Sequence, residues 1–383
     1  MTKRQRNIRR SRVVAAYVVL AIALAVAMLD FHGIDYRAPS NSGMDLVKYR
    51  TMAAAAPKLS TSVEAPFARR VAGPWLAGIL PMSDPLAFRL FNSLAAALLM
   101  VGLFAWMRAE GVSLEVATLM TSVLPFSKAT LGFQLYDYFQ LNDVVALALL
   151  CWSVVAVMRR RWLLAWSLML VSVPFRETLL VMVPAILWLV WESGEKRRTR
   201  LICAVGACLM IGEYALLLSV IPASGGVSLA HGIRTNALKY THLGDLFRLL
   251  FNTYVPLSLT PLVFWRRSLA WLNARRWLAV LCVATVLSSN AGGNTERLLV
   301  PVFLVLLVMC AHLVEEVSRH AGLLAGATLC AAALASLGRV ETRLTVPLSV
   351  SIALSVGCTF VVTALWMLLR RPSESLPDPG STF

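Results

Sequence analysis

The chain has 383 residues, 58% of them hydrophobic and only 15% charged, with a formal net charge of +16. Soluble domains carry about 25% charged residues; here apolar blocks of helical length recur from end to end, which excludes a soluble bundle and indicates an all-α polytopic membrane protein. The positive charge lies in short clusters between those blocks, the pattern of cytoplasmic loops, and leaves no domain-sized basic surface for nucleic acid.

Residues 1–12 form a basic tail, and residues 13–29 an apolar run that spans with its flanks. Ala25-Val26-Ala27 offers a signal-cleavage pattern, but the run is longer than a signal core and reads as a retained helix. Residues 30–84 follow as the first and largest extracytoplasmic loop. Runs at 85–106, 114–125 and 144–158 then cross inward, outward and inward, with Tyr136, Asp137, Asn142 and Asp143 in the second outer loop. The runs at 162–174 and 179–191 are short. Basic clusters at Arg159 to Arg161 and Lys196 to Arg200 flank them on both sides, so they read as a hairpin with Arg176 and Glu177 at its outer tip. Runs at 201–221, 246–265, 277–287, 298–313, 321–337 and 346–369 complete about twelve spans, with 266–276 as a basic inner loop. The expected transmembrane domain is 13–369, both termini are cytoplasmic, and 370–383 is a Pro/Ser-rich disordered tail. The seven cysteines all lie inside apolar runs without C-x-x-C spacing, so neither disulfides nor zinc are indicated.

Ionisable residues near a bilayer are costly and tend to be functional. Acids mixed with arginines gather on the outer side: Asp30, Asp35, Asp45, Arg69, Arg70, Asp137, Asp143, Arg176, Glu177, Arg234, Glu296 and Arg297. This mixture suits an anionic group such as phosphate beside a working carboxylate. Ser42-Gly43-Met44-Asp45 has capping-box spacing, and the following residues form a helix that stops at Pro57. Asp45, Tyr49, Met52 and Ala53 share one face of it, as short amphipathic juxtamembrane helices of this loop would require. Asp45 either complements the helix dipole or faces a substrate. A second short helix follows Pro66-Phe67-Ala68-Arg69-Arg70. Its two arginines diverge by about 100° and cannot both face one pocket. Arg176-Glu177 reads either as a structural ion pair or as part of a site. Gly292-Gly293-Asn294-Thr295-Glu296-Arg297 reads as a polar turn or as a close-approach loop whose arginine needs an acidic or phosphate partner. The histidines show no metal spacing. The acids could hold a divalent cation, but nothing in their spacing demands one.

Four features in order resemble the bacterial multi-span glycosyltransferases of the C-type superfamily. They are an acid in the first outer loop, Pro66-Phe67-x-x-Arg70 with Pro74-Trp75-Leu76, Arg176-Glu177-Thr178, and Gly292-Gly293-x-x-x-Arg297 before Pro301. The resemblance covers roughly residues 10–320. It implies a polyprenyl-phosphate sugar as donor and a lipid or glycan acceptor at the outer face of the bacterial inner membrane. It implies an inverting displacement with Asp45 as general base and Arg70, Arg176 and Arg297 stabilising the departing lipid phosphate. Tyr49, Asp137, Glu177, Asn294 and Glu296 complete the expected substrate-binding set. The chain lacks a paired Asp-Glu in the first loop, which leaves Asp30 and Asp35 as substitutes for Asp45. It shows no soluble C-terminal domain, which points to a small acceptor. An envelope polysaccharide polymerase or ligase and a lipid or glycan transporter are the alternatives.

Overall fold

The computed structural model describes residues 3–31, 33–38, 41, 45–221, 225, 242–254, 257–289, 295–316, 323, 326–328 and 348–369. Among these residues the fold is helical, with one isolated bridge where Ala65 N–H donates to Gly225 O at 2.8 Å. Four stretches are long and apolar enough to cross a membrane: Arg10–Asp30, Asp84–Ala109, Tyr138–Met158 and Arg197–Val220. A fifth results if the bent pair Trp265–Asn273 and Arg276–Ser289 counts as one span.

The helices, in order, are α1 (Lys3–Asp30), α2 (Asp45–Ala55), α3 (Ala72–Gly78), α4 (Asp84–Ala109), α5 (Leu114–Thr121), α6 (Phe133–Tyr136), α7 (Leu141–Met158), α8 (Trp162–Ser172), α9 (Met182–Glu192) and α10 (Arg197–Val220). They continue with α11 (Leu243–Thr253), α12 (Thr260–Val263), α13 (Trp265–Asn273), α14 (Arg276–Ser289), α15 (Thr295–Leu298), α16 (Val300–Glu315) and α17 (Leu348–Leu369). α4 and α7 pack along their lengths, and Trp152 Nε1 donates to Leu98 O at 3.2 Å. α16 is apolar all round, with twelve of its 16 residues buried, as a central helix must be. α1 and α10 instead expose apolar stripes, Val14, Val18, Ile22 and Val26 on one and Leu201, Val205, Leu209 and Leu216 on the other. Such stripes are costly in water and natural against lipid.

Polar contacts sort the connections into two ends. At one end Arg12 pairs with Glu115, Arg275 with Glu110, and Arg160, before α8, with Glu195, after α9. The chain therefore enters α8 and leaves α9 at the same end, as a hairpin requires. At 11 residues each, these helices reach only about 16 Å, roughly half a bilayer core. The other end carries α2, α3 and the turns before α7 and α9.

Two expectations are corrected. Residues 246–265 do not form one span: the chain runs as α11, then α12, then α13. Pro261, at the start of α12, accounts for a helix beginning there anew, since proline removes a helix donor and clashes with the preceding turn. The expected basic inner loop 266–276 is instead largely helical, and α13 meets α14 at 104°. The expected spans at 114–125, 277–287 and 298–313 lie in helices of 8, 14 and 16 residues. Most of the expected span at 321–337, the Ser42 N-cap and the 370–383 tail lie outside the described residues.

The loop helices dock tightly. Trp75 Nε1 donates to Pro57 O at 3.0 Å, and Arg50 Nε to Asp84 Oδ2 at 2.6 Å, which fastens α2 to α3 and α4. A Cβ on Gly78 would collide with the Ala53 carbonyl oxygen, a backbone atom that cannot swing aside. Gly78→Ala is expected to cost about 1–3 kcal/mol, read as a lower unfolding midpoint in detergent. An unchanged midpoint would show that α3 docks loosely.

Candidate active site

Burial on α2 follows helical spacing: Leu46, Tyr49, Met52 and Ala53 face inward, and Asp45 opens the helix at their edge. Phe67 meets Tyr49 edge-on, with ring centroids 5.9 Å apart. Arg70 follows on the 3₁₀ turn Phe67–Arg69 and is buried. Its guanidinium adjoins Tyr49 and donates to both oxygens of Glu177, from Nε at 3.1 Å and Nη2 at 2.5 Å. Asn142 locks this segment to α7: its Nδ2 donates to Arg70 O at 2.9 Å, while its Oδ1 accepts from Gly73 N–H at 3.0 Å.

Arg297 is the hub. It donates to Asp143 Oδ2 from Nε at 3.0 Å and Nη2 at 2.7 Å, to Gln140 Oε1 at 2.7 Å, and to Asp45 Oδ2 at 3.3 Å. The Gln140 amide in turn donates to Asp45 Oδ2 and Asp137 Oδ2, both at 3.1 Å. Asp143 Oδ1 pairs with Arg176, which sits in extended backbone just before the turn Glu177–Val181. Three guanidiniums thus converge with four carboxylates. Seven of the residues expected at the site come together: Asp45, Tyr49, Arg70, Asp137, Arg176, Glu177 and Arg297. Asn294 and the side chain of Glu296 lie outside the described residues.

Arg176 and Glu177 do not pair with each other, as their adjacency invited; each crosses to a distant partner. Arg69 and Arg70 do diverge: Arg70 is buried and paired, and no acid among the described residues pairs with Arg69. Sequence reasoning missed Gln140 as a bridge and Asn142 as a clamp. It noted Asp143 without assigning it a role. The signal available was a polar Gln-Leu-Asn-Asp run opening a membrane-length helix, where buried polar groups require partners.

The carboxylates differ in what remains available. The Asp143 side chain is 1% exposed, with both oxygens taken by arginines. The Asp45 side chain is 28% exposed, and its hydrogen bonds from described residues all reach Oδ2 and none Oδ1. Asp35 Oδ1 accepts from Arg37 N–H at 2.9 Å and shapes a local turn. Beside the cluster a narrow cleft of about 10 Å³, room for about one water, runs between Gln134, Asp143, Arg176, Thr178 and Arg297 onto Leu147, Leu150 and Pro301.

Burial pushes the Asp137 carboxyl up to about 6, with Gln140 and Arg297 pulling back and Asp45 adding to the rise. Burial also presses Glu177 upward, but Arg70, joined by Arg176, more than reverses it and holds that carboxyl down at about 2. The signs are opposite. The depressed Glu177 contributes stability that is full above 4.5 and lost as pH falls toward about 2. The raised Asp137 contributes stability that is full below 3.8 and lost as pH rises through about 6. The unfolding midpoint in detergent is therefore expected to fall between pH 4 and 7, and Asp137→Asn to flatten that fall. A decline unchanged in the variant would mean another group titrates.

No known protein family, curated protein or solved structure matches the chain. The fold therefore defines a class on its own terms: a helical protein with several helices of membrane-spanning length and a buried, mixed-charge cluster at one end.

Proposed function

We propose that this chain is a membrane glycosyltransferase, moving a sugar from a polyprenyl-phosphate donor to a lipid or glycan acceptor at the extracytoplasmic face of a bacterial inner membrane. Termini that both lie on the cytoplasmic side belong to this reading. The observation that carries it is the asymmetry of Asp45: two donors fix one oxygen, and no described residue donates to the other. A general base needs just this, a carboxylate held in place with a lone pair still available.

In the proposed step the acceptor hydroxyl oxygen attacks the anomeric carbon as the bond from that carbon to the phosphate oxygen breaks. The bonding pair leaves with the phosphate, the hydroxyl proton passes to Asp45 Oδ1, and the configuration inverts. The phosphate needs cations that it can reach. Arg70 and Arg176 are already neutralised by Glu177 and Asp143, so their first role is to hold the site together. Arg297 is better placed to serve the leaving group through Nη1, whose contact to Asp45 Oδ2 at 3.3 Å is the longest of those named above. No group of three or more His, Cys, Asp or Glu side chains among the described residues comes close enough to share one metal ion, so a divalent cation would have to draw part of its shell from the donor phosphate.

The test compares envelope glycolipids and glycans with and without the chain. Loss of one sugar supports transfer. Collapse of glycan length points to a polymerase, and movement of lipid-linked sugar in proteoliposomes without covalent product points to a transporter.

A further inference from the structure

The end of the molecule opposite Asp45 carries a larger cavity, with about 1140 Å³ of unfilled space including its mouth, between the ends of α4, α7 and α9 and the bend from α13 to α14. Acids lie deep in it and arginines at its rim. The side chains of Glu110 and Glu195 are 4% and 11% exposed, whereas those of Arg160 and Arg276 are 66% and 54% exposed. Glu110 is fixed by Arg275 at 2.6 Å and by His312 Nε2 at 3.4 Å. Arg160 pairs with Glu195, and Arg276 with Glu192 at 3.1 Å. Trp162 and Trp277 complete the wall.

Arg160 stands out by its backbone. α4, α7 and α9 end alike: the third residue past the helix end donates back to the helix, from Val112 to Met107, from Arg161 to Ala156, and from Glu195 to Val190. This ending needs a left-handed residue between, which glycine adopts most readily. α4 and α9 supply Gly111 (φ 88°) and Gly194 (φ 61°), but α7 supplies Arg160 at φ 53°. A side chain is kept where glycine would be easier, and it reaches over the cavity mouth.

We infer that this cavity binds a zwitterionic phosphoethanolamine head, its ammonium against Glu192 and Glu195 and its phosphate on Arg160 and Arg276. The arginine of each rim pair is exposed, so a ligand phosphate can draw it aside while the ammonium takes its place at the acid. A ligand of one sign would satisfy one member of each pair and strand the other; a zwitterion satisfies both. The tryptophan faces suit the ammonium as well.

The test uses the full chain in detergent, titrated with dioctanoyl phosphatidylethanolamine or dioctanoyl phosphatidylglycerol and read by native mass spectrometry. Wild type is expected to prefer phosphatidylethanolamine by about tenfold or more. Arg160→Gly should raise the thermal midpoint by about 1–2 °C while reducing that preference below about twofold. Glu192→Gln should weaken phosphatidylethanolamine alone. Soluble phosphoethanolamine that competes assigns the head to an aqueous metabolite; failure to compete, with lipid binding intact, assigns it to a bilayer lipid. Equal or tighter phosphatidylglycerol binding in wild type, or an undiminished preference in Arg160→Gly, overturns the inference.

Discussion

Replacing Asp45 with Asn is expected to lower sugar transfer by about 10²–10⁴-fold while leaving the protein folded in the membrane. Asn keeps the shape of the side chain, and its carbonyl oxygen can still accept from Gln140 and Arg297, which now meet Asp45 Oδ2 at 3.1 and 3.3 Å. What it loses is the ability to take a proton. The loss should therefore fall on turnover, with donor binding nearly unchanged. The measurement is transfer from a polyprenyl-phosphate sugar in proteoliposomes, beside the unfolding midpoint of the same preparation. Asp35→Asn serves as the control, because Asp35 holds only a local turn through Arg37 N–H. Full activity in the Asp45 variant would remove this residue as base, and a lowered midpoint would recast it as a structural member of the Arg297 cluster.

The class of molecule and the face of α2 were legible in the sequence because both rest on local periodicity. Tyr49, Met52 and Ala53 are buried along one side, as the spacing requires. The partners within the site were not legible, because they join residues far apart: Arg70 with Glu177, Asp143 with both Arg176 and Arg297, and Asp45 with Arg297. Adjacency misled at Arg176-Glu177, where an extended residue before a tight turn sends the two side chains to different partners. Gln140 escaped notice because a neutral amide carries no charge signal, yet it contacts Asp45, Asp137 and Arg297. The break in 246–265 was signalled by Pro261, which opens α12, and the high mean hydropathy of the run concealed it. The cavity at the end opposite Asp45 was hidden by a similar average: the sequence shows basic clusters there, while the acids that make it a mixed-charge site lie singly at Glu110, Glu192 and Glu195.

Asp143→Ala is expected to be the most destabilising single change at the site, by about 3–5 kcal/mol. The Asp143 side chain, 1% exposed, is the shared counter-ion of two guanidiniums whose own side chains are only 6% and 8% exposed. Burial, then Arg70 and Arg297, already weigh against the charge on Arg176, and an arginine cannot escape by giving up its proton. Without Asp143, Arg176 loses its ion pair and Arg297 loses the two shortest of its contacts to a carboxylate, keeping Gln140 and the longer contact to Asp45 among others. The paired change Asp143→Leu with Arg176→Met removes charge from both sides and should cost less than Asp143→Ala alone, because uncompensated buried charge is the expensive element. Unfolding midpoints in one detergent, compared across the three proteins, provide the measurement. A double variant less stable than the single one would mean that the pair acts through its packing. In that case the cluster would be a fastening between α7 and the turn before α9, and Asp45 would be oriented by Gln140 more than by Arg297.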